Sequence, residues 1–407
     1  MKGLGIDVGG TFTDLGKLAL GLGGSPMNPL EPELLPPGIR SRFIDDINGL
    51  RVHVLEAGFE SPGRPLVVML HGFPEIAYSW RKVMPALAAA GFRAVAPDLR
   101  GYGRTTGWLA DADLRPFRML NVVRDTLGLV FALGYRRAAA VVGHDFGAGV
   151  AAWCALVRPD VFQSLALMSA PFAGPPELPF DTDGKPPAAP ASPTIHEALA
   201  ALPRPRKHYQ WYYSTRPADA QMRHCKEGVH AFLRAYYHHK SADWKENRPH
   251  PLAAWNAEEL AKMPTYYIMD LADDMPAAVA KEMPSAAEIA GCKWLPDEEL
   301  AVYAREYERT GFQGGLNWYR SRTGGAFESE LQLYAGRVID VPSIFISGKS
   351  DWGVHQRPGA FERMQGAACT RMVGVHLLDG AGHWVQQEQS AAVAALLIDF
   401  LRTAATG

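Results

Sequence analysis

From about residue 40 the chain alternates short apolar runs with longer amphipathic ones. Ile39–Ile47 and Leu50–Ala57 read as a hairpin turned at Asn48-Gly49, and Leu66–Leu70 reads as a strand apolar on both faces. The pattern then predicts a helix over 79–90, a strand over Arg93–Pro97 and a helix over 119–133. A strand over 138–143, a helix over 147–157 and a strand over 162–168 follow. Apolar strands separated by helices predict an α/β chain with a mostly parallel sheet covered on both faces. The alternation breaks off at residue 171 and resumes with strands over 341–347 and 371–378 and a closing helix over 390–403.

The interruption contains a proline-rich connector at 174–205 and then helical text dense in aromatics, including Trp211, Tyr212, Phe232, Tyr236, Tyr303 and Tyr307. We read 39–170 and 338–407 as one core, 171–337 as an inserted helical cap, and 1–38 as an N-terminal extension. An insert that leaves after one core strand and returns before the next sits over the C-terminal strand ends, where open α/β sheets place their ligands. The cap aromatics are taken as the core of that helical layer before any is assigned to substrate.

The 407 residues, 47% of them hydrophobic, suffice for a large core, and the net charge of −2 favours no particular partner. With no basic stripe or acidic tail, nucleic acid and anionic membrane surfaces are excluded as partners. Cys154, Cys225, Cys292 and Cys369 are far apart and form no CxxC pair, as expected of reduced thiols in the cytoplasm. No run approaches the ~20 apolar residues of a membrane span, and Asp7 and Asp14 interrupt the apolar start that a signal peptide needs.

The informative chemistry lies at Val141-Val142-Gly143-His144-Asp145-Phe146-Gly147-Ala148-Gly149, where a carboxylate stands between small residues at a strand-to-helix junction. Such a turn is a nucleophile elbow: glycines on either side let the backbone bend sharply and lift the turning residue clear of the sheet. A carboxylate attacking an ester yields only a mixed anhydride. Asp145 therefore suits an sp³ carbon with a leaving group, an epoxide or a carbon–halogen bond, and the product is an alkyl ester of the enzyme.

That ester must be hydrolysed, which needs an oxyanion hole and a base. The Phe73 N–H, in His71-Gly72-Phe73-Pro74 after a core strand, and the Phe146 N–H are expected to converge as the hole. His383, in the small-residue loop Gly380-Ala381-Gly382-His383-Trp384, is the candidate base, with Asp351 as its acid partner and Asp379 as the rival.

Together, His71-Gly72-Phe73-Pro74-Glu75, Ser79-Trp80-Arg81, Asp98-Leu99-Arg100-Gly101-Tyr102-Gly103, Gly143-His144-Asp145-Phe146-Gly147 and Gly382-His383-Trp384 resemble the α/β-hydrolase superfamily, and within it the soluble epoxide hydrolases. The likeness spans most of residues 40–405 and implies the α/β-hydrolase fold with a cap. It also implies two cap tyrosines that hydrogen-bond the epoxide oxygen. The matching text is His208-Tyr209-Gln210-Trp211-Tyr212 and Leu316-Asn317-Trp318-Tyr319-Arg320, so the roles carry to Tyr209 and Tyr319, with Tyr212 and Tyr213 close to the first. Physically, an epoxide opens to an alkoxide that needs a proton, and a phenol can supply it.

The expected reaction converts an epoxide and water to a vicinal diol through an aspartyl ester, with no metal or organic cofactor; a homodimer is compatible with it. The nearest rival is a haloalkane or haloacid dehalogenase with the same aspartate nucleophile. Families of that kind resemble chains with an indole or an arginine directly after the nucleophile, where this one has Phe146. A non-catalytic small-ligand receptor on the same scaffold is a third reading, disfavoured by the full set of catalytic parts. Gly5-Ile6-Asp7-Val8-Gly9-Gly10-Thr11-Phe12-Thr13-Asp14 resembles the first phosphate-binding loop of actin-like ATPases of the hydantoinase and acetone carboxylase group. It is read as a fused or mis-started remnant, with Met27 as an alternative start, so removing residues 1–26 should leave turnover intact.

Overall fold

The computed structural model describes residues 27–108, 113–178 and 193–404. The phosphate-loop-like segment and much of the proline-rich connector lie outside the described residues. Ten strands are found among them: β1 (Ile39–Ile47), β2 (Leu50–Ala57), β3 (Leu66–Leu70), β4 (Arg93–Pro97), β5 (Ala140–His144), β6 (Leu165–Met168), β7 (Arg206–His208), β8 (Ile268–Asp270), β9 (Ser343–Gly348) and β10 (Met372–Leu378). Eight form the main sheet in the order β1-β2-β4-β3-β5-β6-β9-β10, while β7 and β8 pair with each other. Only β2 runs against its neighbours; from β4 to β10 every pairing is parallel.

The burial follows from this order. Central β3, β5 and β6 are buried at every position, as sheet strands covered on both faces must be, whereas edge strand β10 is only partly covered. The β1–β2 turn falls on Asn48 and Gly49, whose φ angles of 49° and 80° suit the tight hairpin turns that match strand twist. Residues 28–35, in the stretch read as an extension, lie against the core: the Leu30 N–H donates to Ser41 Oγ at 2.8 Å and the Tyr78 hydroxyl to the Leu34 carbonyl at 3.0 Å.

The helix expected over 79–90 is a correction. A 3₁₀ turn occupies Ala77–Trp80 and the α-helix begins only at Met84. Pro85 is the reason, since proline has no N–H and fits the first turn of a helix but clashes in its interior.

Between β6 and β9 the described chain is mainly helical and packs on the core. Arg81 pairs with Glu299 of the helix Asp297–Thr310 and donates to Gln387 at 3.0 Å, while the Trp318 indole donates to the Arg100 carbonyl at 2.8 Å. Tyr212, Phe232, Tyr236, Tyr303 and Tyr307 of this layer are buried, whereas Trp211 and Trp255 are exposed. Among the described residues no helix is long and apolar enough to cross a membrane.

Asp98 ties the loop after β4 to the rest of the core. It accepts the N–H groups of Ala77 and Arg104 at 2.8 and 2.9 Å and meets His53 Nδ1 at 2.7 Å. Burial alone would raise its pKa; the His53 charge and hydrogen bond more than offset that and bring it from 3.8 to about 2. A depressed carboxylate contributes stability that is complete above pH 3.8 and drains away as the pH falls towards 2. Asp98→Asn should therefore cost about 2–4 kcal/mol at neutral pH, read from urea unfolding, and flatten the acid limb of stability against pH.

Candidate active site

Asp145 stands where β5 ends and the helix Phe146–Val157 begins, with φ 53° and ψ −119°. That is a rarely populated conformation for a residue with a Cβ, at a cost on the order of 1–3 kcal/mol, and such strain concentrates at functional positions. The surrounding small residues are required by space. A Cβ on Gly143 would strike the Gly147 carbonyl, one on Gly147 the carbonyls of Leu70 and His71, and one on Gly72 the Asp145 side chain. The loop after β3 thus closes directly on the elbow.

The two oxygens of Asp145 have different neighbours. Oδ1 accepts the Phe73 N–H at 3.0 Å. Beside it the Phe146 N–H occupies the first helical position, where no residue within the helix can accept it. Oδ2 faces His383 Nε2 at 3.4 Å, and that nitrogen has no hydrogen-bond partner. On the other side of the ring, His383 Nδ1 lies 3.0 Å from Asp351 Oδ1. A carboxylate can only accept, so Nδ1 carries the proton and Nε2 is left as the basic nitrogen. Asp351 is itself fixed by the Gly353 N–H at 2.7 Å and the Ser347 hydroxyl at 3.0 Å. The rival Asp379 is brought elsewhere: its side chain is 85% exposed and pairs with Lys349 at 2.8 Å.

Burial would push the Asp145 carboxyl up, but the facing His383, with Lys240 and His144 behind it, holds its pKa below the ordinary carboxylate range. Asp145 is consequently ionised at any physiological pH. Lys240 is fully enclosed, with its ammonium 4.9 Å from the Tyr267 ring centre and 5.3 Å from those of Tyr236 and Trp384. Desolvation lowers its pKa to about 8 in spite of Asp145, Asp351 and Glu75.

The His383 loop rests on a buried polar network. His144 contacts two acceptors, Glu75 Oε2 at 2.6 Å through Nδ1 and the His383 carbonyl at 2.7 Å through Nε2, so both ring nitrogens carry protons. Burial opposes charge on this pair, yet mutual attraction keeps Glu75 low and His144 high. Gln386 and Gln387 complete Glu75 at 2.8 and 3.0 Å. Glu388 accepts the N–H groups on both sides of the base, Gly382 at 2.9 Å and Trp384 at 2.9 Å, and also Ala242 of the insert at 2.8 Å.

Tyr209 opens the short helix Tyr209–Tyr213, and Tyr319 lies within the helix Gln313–Thr323. Their rings are 6.0 Å apart, and Tyr319 stands edge-on to Phe146 at 4.6 Å and to Phe73 at 5.5 Å. The insert thereby brings both tyrosines to the elbow. The Tyr209 hydroxyl donates to Gln356 Oε1 and accepts from Gln210, each at 3.1 Å. Burial, and then neighbours that include Asp145, raise both phenol pKa values, so the protons are retained. Tyr213 wedges between them, 4.9 Å from Tyr319, while Tyr212 points into the insert beside Lys207. Tyr209 and Asp145 share the wall of a small cavity of about 90 Å³, which adjoins a larger one of about 810 Å³ lined by Asp145, Phe146, Trp153 and Trp318.

Sequence reasoning assigned nothing to Glu75, His144, Lys240 or Glu388. For the first two a signal existed: both are polar residues inside apolar motif text, where burial demands a partner. Lys240 ends an aromatic helix and Glu388 follows the base by five positions, and neither spacing distinguishes them from ordinary surface charges.

A sequence model described as the alpha/beta hydrolase fold matches residues 65–389. Epoxide hydrolase A of Mycobacterium tuberculosis is 33% identical over 370 residues, which is 89% of this chain and 98% of that protein. An epoxide hydrolase of Caballeronia sordidicola is 33% identical, with 88% and 92% covered. Among solved structures, an epoxide hydrolase from an endophytic Streptomyces superposes with a TM-score of 0.70 at 32% identity, covering 90% of this chain and 96% of that one. Potato epoxide hydrolase I does so at 0.67 and 28% identity, covering 90% and 99%.

Proposed function

The chain belongs to the α/β-hydrolase superfamily, in its epoxide hydrolase branch, and from that membership we propose that it converts an epoxide to a vicinal diol through a covalent ester on Asp145. One observation carries the reading: the elbow residue is a carboxylate with one oxygen on the Phe73 N–H and the other facing the free nitrogen of His383.

In the first half-reaction Asp145 Oδ2 attacks the less hindered epoxide carbon. The carbon–oxygen bond breaks, and the departing oxygen takes a proton from the phenols of Tyr209 and Tyr319, for which Tyr209 turns from Gln356. The product is a hydroxyalkyl ester. In the second half-reaction His383 Nε2 removes a proton from water, and the resulting hydroxide adds to the Asp145 carboxyl carbon. The oxyanion on Oδ1 is held by the Phe73 and Phe146 amides while Asp351 stabilises the imidazolium. Collapse expels the diol oxygen as an alkoxide that takes the proton from His383, and the proton left on the Asp145 carboxyl returns to the tyrosinate, which restores both groups for the next turnover.

Tyr209→Phe and Tyr319→Phe should each slow ester formation about 10- to 100-fold, since each removes one donor to a developing alkoxide. Stopped-flow measurement of the alkylation phase checks this, and the double variant should lose more than either alone.

Diol formation from styrene oxide, measured beside halide release from a bromoalkane, tests the activity. Diol without halide is expected, and halide without diol contradicts it. We assign the protein to the cytoplasm on its four unpaired cysteines, with epoxide and water as its reactants. All the named side chains come from one chain, so a homodimer would carry two complete sites.

A further inference from the structure

His383 is held by its backbone as well as by Asp351. Its N–H donates to the Lys240 carbonyl at 2.9 Å, and its carbonyl accepts His144 Nε2 at 2.7 Å and the Ser169 hydroxyl at 3.0 Å. The N–H groups on either side, those of Gly382 and Trp384, go to the two oxygens of Glu388, each at 2.9 Å.

Part of this scaffold belongs to the insert. Lys240 ends the helix Gly228–Lys240, and two residues on, the Ala242 N–H donates at 2.8 Å to the same Glu388 oxygen that takes Gly382. The two stretches of main chain touch: a Cβ on Gly382 would meet the Lys240 carbonyl at 2.6 Å and the Ala242 nitrogen at 2.7 Å. Asn247 fixes the insert side, donating to the carbonyls of His239 and Ser241 at 2.9 and 2.7 Å and accepting the Tyr266 hydroxyl at 2.7 Å. Glu388 thus joins the insert to both neighbours of the base. Burial, with Asp243 adding to it, pushes the Glu388 pKa up to about 8 against its three N–H groups, and its oxygens accept in either protonation state.

The two half-reactions depend on this scaffold unequally. Ester formation uses Asp145 and the phenols, whereas hydrolysis needs Nε2 at a fixed distance from a water that is itself in line with the carboxyl carbon. A shift of the His383 loop is felt in the second step.

We propose that Glu388 is a positioning residue for ester hydrolysis, which ties the insert to the His383 loop and so places Nε2 for its attack through water. This rests on the hydrolase reading given above and adds a residue that acts through the base without touching substrate.

The test compares the half-reactions in Glu388→Gln. An amide turned either way presents its own NH₂ to at least one of the three N–H groups, so an acceptor is lost while the volume is kept. With styrene oxide, ester formation read by stopped flow should stay within about twofold, while kcat falls about 10- to 100-fold and KM falls with it as ester accumulates. Intact-protein mass spectrometry should find the adduct during turnover. Glu388→Asp, which keeps both oxygens on a shorter stem, should lie between Gln and the original. Partial unfolding would instead lower kcat and the burst amplitude together and leave KM unchanged. Ester formation slowed as much as hydrolysis, or hydrolysis within about twofold of the original in both variants, overturns the positioning role alone. Neither adduct nor diol from the unaltered chain overturns the hydrolase reading itself.

Discussion

Asp145→Asn should abolish epoxide turnover, with kcat reduced at least about 10⁴-fold, the scale on which removal of a covalent nucleophile is felt. The amide has nearly the shape of the carboxylate and can still accept the Phe73 N–H through its carbonyl, so the pocket is preserved while nucleophilicity is lost. Epoxide binding should therefore persist at an affinity within a few-fold of the original, measured by displacement of a fluorescent ligand. The elbow makes the contrast informative. His383, Lys240 and His144 hold Asp145 ionised, and that stabilisation of the charge disappears with the charge. A variant that retained turnover would mean that water, activated elsewhere, attacks the epoxide directly.

His383→Gln should separate the two half-reactions. Alkylation needs only Asp145 and the phenols, whereas hydrolysis of the ester needs a base at the position of His383 Nε2. The variant should show a burst of about one equivalent of epoxide consumed and then a steady rate about 10³-fold or more below the original, with the mass of the chain raised by that of one substrate. Intact-protein mass spectrometry reads the adduct and quenched flow reads the burst. Loss of the burst together with the steady rate would place His383 in ester formation instead.

The core was legible because its signals are local. Leu66–Leu70 and Arg93–Pro97 match their sequence-read bounds, since an apolar run ending at glycine or proline leaves little choice of strand. The elbow was legible for the same reason: Gly143 and Gly147 are needed by the backbone itself, whatever surrounds it. Where Pro85 lies inside an amphipathic stretch, the apolar spacing promised a helix that proline delays to Met84.

The partner of His383 was less legible, because Asp351 and Asp379 both follow strands of the same sheet edge and only the path of their loops separates them. Asp351 enters the site through its bonds to Gly353 and Ser347, while Asp379 turns outward to Lys349. The environment of the base was illegible for a further reason. Lys240 and Ala242 meet the His383 loop and its Glu388 only after the insert folds back on the core, and contacts at such separations leave no periodicity behind.

A single turnover in water labelled with heavy oxygen, with enzyme in excess over epoxide, tests the covalent ester most directly. The water oxygen should be found in the carboxylate of the peptide that contains Asp145, with the diol unlabelled, because the oxygen the diol gains comes from the side chain. Label in the diol with none in that peptide would contradict the ester.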